Sequence, residues 1–212
     1  MHPKQTERFF RVLAKELPHP ATIIVTGAAA GSLWGHIRPS LDIDFAIMPA
    51  GRRKDRWTVI ERAVERTIRL TGIAANYAED IDRWSAISLL DYRRHSLPYQ
   101  RFGSLNVRLM DPAYWSIGKL SRFLDPDVQD LVAVLKRRRI PARSLVRLWA
   151  RAIRHSPASA ALSQFCKQAE YFIRTFGPAI WGTSFDSSQV IHQFHRALRP
   201  SSSLPSTRQK NR

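Results

Sequence analysis

The segment that most restricts this chain is Asp42-Ile43-Asp44-Phe45-Ala46-Ile47, where acidic and apolar residues alternate. A period of two belongs to a β-strand, whose successive side chains leave opposite faces. Asp42 and Asp44 therefore share one face, and the apolar residue between them points into a core. Upstream, Ala21-Thr22-Ile23-Ile24-Val25 is short, apolar and β-branched, as expected of a buried strand. Gly27 ends that strand, and the small residues from Ala28 to Gly35 fit a short helix. A chain that runs strand, glycine turn, short helix and acidic strand calls for an α/β fold.

The surrounding pattern extends this reading. Phe9, Phe10, Leu13 and Leu17 recur at helical spacing over residues 4–17, and Trp57, Ile60, Val64 and Ile68 mark one face of a long helix. Further strands are expected at Ala86 to Leu90 and at Leu105 to Met110, with Arg101-Phe102-Gly103-Ser104 in the connection between them. Beyond this the chain reads as helical. Asp111-Pro112 and Asp125-Pro126 each combine a capping acid with a proline suited to the first helical position. Helices are also expected near 143–155, 157–176 and 186–198. The predicted organisation is an α/β (α+β) core over residues 1–112, with a small mixed sheet flanked by helices, then an all-helical region over 113–198. A basic tail, 199–212, is expected to be disordered.

Composition narrows the partners. Lys and Arg total 34 against 17 Asp and Glu, a formal net charge of +17, so the surface attracts polyanions, nucleic acid foremost. Cys166 is the single cysteine, which excludes an internal disulfide. The uncharged run Ala21 to Gly35 is too short to cross a membrane. The first residues enter an amphipathic stretch and not a leader's apolar core, so a cytoplasmic location and no membrane partner are expected.

Two carboxylates on one strand face are hard oxygen ligands suited to Mg²⁺, or to Mn²⁺ in its place, with other coordination positions left for substrate phosphates. Gly27 permits close approach of backbone to phosphate oxygens, and the short helix after it turns free N–H groups toward the same place. The segment resembles the core motif of the DNA polymerase beta-type nucleotidyltransferases, a glycine turn followed about a dozen residues later by Asp-x-Asp. It looks most like the minimal bacterial members, including AbiE-type toxins. Gly27-Ala28 matches the turn, although the family usually has Gly or Ser where Ala28 stands. Ser40 matches a hydroxyl position, and Asp42 and Asp44 match the metal pair. The likeness covers residues 22–48. A second block, Lys119-Leu120 followed by Asp127-Val128-Gln129-Asp130-Leu131, is similar to one in the toxin-like branch.

This resemblance implies a Mg²⁺-dependent enzyme that moves a nucleotide from a nucleoside triphosphate to an acceptor hydroxyl by two-metal catalysis. It implies an RNA acceptor, with tRNA the leading candidate, and a toxin–antitoxin setting with an antitoxin protein as partner. Lys119 would contact the triphosphate, and Asp127 or Asp130 would serve the acceptor or the site's architecture. Many such enzymes use a third carboxylate from a later strand, and Asp91 is the candidate here. Arg38 is a candidate phosphate ligand. The histidines show no zinc-ligand spacing. Arg143, Arg147, Arg151 and Arg154 fall on one helix face downstream of Lys136-Arg137-Arg138-Arg139, a surface suited to phosphate backbone. Two alternatives stand beside this reading. One is a small-molecule acceptor of the antibiotic kind; the other is a catalytically idle nucleic-acid-binding or antitoxin-like module on the same fold.

Overall fold

A computed structural model describes residues 2–35, 41–51, 56–84 and 86–199. The described elements are α1 (Pro3–Glu16), β1 (Ala21–Thr26), α2 (Gly27–Leu33), β2 (Asp42–Pro49), α3 (Arg56–Thr71), β3 (Ala74–Ala78), β4 (Arg83–Trp84), β5 (Ile87–Ser88), α4 (Tyr92–His95), β6 (Leu97–Phe102), β7 (Leu105–Leu109), α5 (Pro112–Arg122), α6 (Asp125–Arg138), α7 (Ala142–Arg154), α8 (Ala160–Trp181) and α9 (Ser187–Leu198). The chain is therefore mixed α/β, a five-stranded mixed sheet flanked by helices and followed by a helical C-terminal part, as the sequence predicts. No helix among the described residues is long and apolar enough to cross a membrane.

The sheet runs β3-β2-β1-β7-β6. β1 pairs antiparallel with β2 and parallel with β7, β2 pairs parallel with β3, and β6 closes the far edge antiparallel to β7. Cross-strand register divides the residues between two faces. Ile23, Val25, Phe45 and Ile47 align with Val107 and Leu109 on one face, which α1 and α3 cover. Phe9 and Phe10 of α1 meet the Phe45 ring at 6.1 and 6.2 Å, and Tyr77 stacks on its other side at 6.0 Å. Thr22, Ile24 and Thr26 align with Met48, Ala46 and Asp44 on the opposite face.

Two expectations need correction, and two strands carry too little local signal to be expected. The strand expected at 86–90 is reduced to Ile87–Ser88, paired only with Arg83–Trp84 outside the main sheet. The two edge strands, β3 and β6, carry weak sequence signals. β3 is Ala-Ala-Asn-Tyr-Ala, with no β-branched residue. β6 contains Pro98, which an edge tolerates because one side of its backbone needs no partner, and its register with β7 shifts between Pro98 and Gln100. Arg101 and Phe102 belong to β6 itself, so only Gly103 and Ser104 form the turn, with Gly103 at φ +57.

The helical part packs around Trp149, Phe165, Phe172 and Phe194, all 0–1% exposed. Gly177 lies inside α8, where glycine is ordinarily about 1 kcal/mol worse than alanine. Here a Cβ would stand 2.3 Å from the Phe185 ring edge, and that ring is stacked on Trp181 at 4.8 Å. Gly177→Ala should therefore lower unfolding stability by about 1–3 kcal/mol, since overpacking outweighs the gain in helix propensity. Chemical denaturation reads the sign directly, and a gain in stability would contradict this packing.

Candidate active site

The pairing of the strands assembles the site. Thr26 at the end of β1 lies opposite Asp44, and Asn76 of β3 lies beside Asp44 on the other flank. Asp42 and Asp44 are two residues apart on β2, so both carboxylates project from the face away from α1 and α3. The Asn76 side-chain amide donates to Asp42 Oδ2 at 2.9 Å and to Asp44 Oδ1 at 3.0 Å. One NH₂ group thus ties the two carboxylates together.

Gly27 follows β1 at φ +62, in the left-handed region. A Cβ there would fall 2.1 Å from Asp44 Oδ2. Conformation and space both require glycine, and the carboxylate rests against the backbone of the turn. Trp115 of α5 fixes the turn from the other side, its indole N–H donating to the Gly27 carbonyl at 2.7 Å. Thr26, Gly27, Trp115, Gly118, Lys119 and Arg122 line a narrow cleft there, which Leu89, Met110 and Tyr114 complete. Ala28 is half-buried in α2.

Burial pushes the Asp44 carboxyl above its ordinary pKa; the Asn76 hydrogen bond opposes this, neighbouring Asp42 adds to it, and Arg122 and Lys119 draw it down. Those last two residues place the second sequence block beside the first. The Lys119 ammonium, 2% exposed, meets Asp127 Oδ1 at 2.8 Å and Asp130 Oδ2 at 2.6 Å, and lies 5.3 Å from the Trp115 ring centre. Arg122 grips Asp127 with two arms at 3.0 and 2.8 Å, and its side chain is 44% exposed. Lys119 and Arg122 thus face Asp127 and Asp130. Removing one partner from such a network costs about 3–5 kcal/mol, because the others stay buried and uncompensated. Asp127 and Asp130 therefore hold α6 against α5 and set the position of Lys119. Arg122, which the sequence reading did not single out, is the cation of this cluster that solvent reaches.

Asp91 stands elsewhere. It occupies a left-handed position at φ 59 before α4, and its carboxylate meets Arg151 at 3.3 Å. With no sheet strand at 86–90, Asp91 does not group with Asp42 and Asp44. Among the described residues no three His, Cys, Asp or Glu side chains converge. The flanking strand supplies Asn76 instead. Its sequence signal is the alternation Ala75-Asn76-Tyr77 after the helix stop at Gly72, a weak one because the segment lacks β-branched residues. Ser40 and Arg38 lie outside the described residues. Asp111 caps α5 by accepting from the Ala113 N–H, whereas Asp125 is the first residue of α6 and Leu124 holds the cap position.

The arginines also separate. Arg143 donates to Gln189, Arg151 to Asp91, the Leu90 carbonyl and the Tyr114 hydroxyl, and Arg154 to the Ala197 carbonyl, so most of the α7 row is spent on tertiary contacts. A different basic surface lies on the sheet. Thr22, Met48, Asn106 and Arg108 share the face of Asp42 and Asp44, and with Arg93 and Arg101 they line an open cleft toward its other end. Arg93 pairs with Asp80, but Arg101 reaches the Gly103 carbonyl and Arg108 reaches Ser96, and neither meets a carboxylate among the described residues.

The Asp44 environment yields a test. A carboxyl whose folded pKa is raised is destabilising once ionised: stability is fullest below the unfolded value of 3.8 and falls as pH rises through the folded value. Asp44→Asn should therefore raise the melting temperature at pH 7, with the gain disappearing near pH 3.5. A lower melting temperature at pH 7 would contradict it. No family model, no curated protein and no solved structure matches this chain.

Proposed function

We propose that this protein is a nucleotidyltransferase that transfers a nucleoside monophosphate from a nucleoside triphosphate to a hydroxyl of an RNA acceptor. The observation that carries this reading is the Asp42–Asp44 pair seated against the backbone of Gly27. It joins two hard anionic ligands to a turn that a polyphosphate can approach. The donor set fits Mg²⁺ or Mn²⁺: two carboxylates on one strand face, drawn together by one N–H donor. Bound there, a pair of such cations supplies alignment of the attacking hydroxyl and neutralisation of charge on the leaving pyrophosphate.

The chain's own groups do the rest. Asp42 and Asp44 hold the cations, Gly27 admits the phosphates, and Arg122 offers a planar cation at the cleft. Lys119 acts through the buried cluster, orienting Arg122 by way of Asp127. The acceptor hydroxyl forms the new bond to the α-phosphorus, pyrophosphate leaves, and the hydroxyl proton passes to water. The Arg101 and Arg108 guanidiniums on the same sheet face, which meet no carboxylate among the described residues, together with the +17 charge, favour a polyanionic acceptor over a cationic small molecule.

Purified protein incubated with Mg²⁺, each labelled NTP and total tRNA should transfer label, and the Asp42→Ala/Asp44→Ala double variant should lose at least 100-fold. Arg101→Glu/Arg108→Glu should weaken tRNA binding and flatten its salt dependence while leaving the melting temperature within a few degrees. Equal transfer by native protein and the double aspartate variant would refute the assignment. Salt-sensitive RNA binding with no transfer would instead identify a catalytically idle RNA-binding module on the same fold.

A further inference from the structure

Asn76 donates to both carboxylates, and its chemistry is two-sided. A primary amide carries an NH₂ donor and a carbonyl oxygen on the same planar head, exchanged by a half-turn about one bond. Facing two carboxylates, the amide presents its NH₂, because turning the carbonyl toward two anions would set three oxygens against one another. The observed distances of 2.9 and 3.0 Å to Asp42 and Asp44 are that arrangement. A divalent cation between the carboxylates reverses the preference, since it repels the amino group and attracts the carbonyl oxygen.

Resting on the nucleotidyltransferase reading, we infer that Asn76 is a third, neutral ligand of the cation held by Asp42 and Asp44, its amide turning over as the cation enters. The register places it there: Asn76 is the direct β3 neighbour of Asp44, so backbone pairing fixes its Cα beside the pair and only the side chain moves. A neutral third ligand leaves the protein's contribution to the site at two negative charges. Cation affinity is correspondingly modest, and the triphosphate must complete both the charge and the coordination. Metal and nucleotide therefore bind cooperatively, because each supplies what the other lacks.

The test is Mn²⁺ binding to the full chain, followed by electron paramagnetic resonance of the free ion, with thermal melts to confirm folding of every variant. The native protein should bind Mn²⁺ at a site that Asp42→Ala/Asp44→Ala abolishes. Asn76→Ala should weaken that binding about tenfold, at the low end of what loss of a metal-site partner costs. Asn76→Asp should tighten it by at least as much and reduce the dependence of Mn²⁺ affinity on added nucleotide. In the native protein, the Asn76 side-chain NH₂ resonances should shift on adding Mg²⁺ as the hydrogen bonds to the carboxylates are lost. Unchanged affinity in both Asn76 variants, with unmoved NH₂ resonances, would overturn this assignment and leave the aspartate site standing. Equal Mn²⁺ binding by the native protein and the double aspartate variant would overturn the metal site and Asn76's part in it together.

Discussion

The contact between the Asp44 carboxylate and the bare backbone of Gly27 governs how this site is built. With a predicted Cβ position 2.1 Å from the carboxylate oxygen, no other residue fits at Gly27 without pushing Asp44 away. The antiparallel pairing of β1 with β2 produces this proximity, so the site is a consequence of the sheet and not an addition to it. Burial against the turn is also what raises the proton affinity of Asp44. The protein thus holds a carboxylate where its charge is costly.

Around that contact, two further elements limit what can move. α5 fixes the turn through Trp115, and the Lys119–Asp127–Asp130–Arg122 cluster ties α6 to α5 on the same side of the cleft. A buried lysine whose charge is already met by two aspartates acts on the site through position more than through its own charge. The helical part thereby participates in the site that the α/β part presents.

Much of this was legible in the sequence where local pattern and chemistry agreed. The β-branched run at 21–25, the glycine after it and the acid–apolar alternation at 42–47 each state their conformation locally, and the two aspartates fall on one face because a strand has a period of two. Helix starts marked by Asp-Pro pairs were equally readable. What escaped depends on neighbours distant in sequence. β3 and β6 are held by pairing and not by propensity, so Asn76 had no visible place in a sheet. Asp91 followed a run that looked like a strand, yet Arg151, sixty residues later, claims its carboxylate. The arginine row on α7 was periodic as expected, but periodicity does not say whether a face meets solvent or another helix, and here α9 takes much of it.

Diffraction from crystals grown with Mn²⁺ and a non-hydrolysable nucleoside triphosphate, measured at the manganese absorption edge, tests the central claim most directly. An anomalous peak is expected within coordinating distance of both Asp42 and Asp44, with the triphosphate lying along the Gly27 turn. Manganese bound elsewhere, or a nucleotide seated away from that turn, would contradict it.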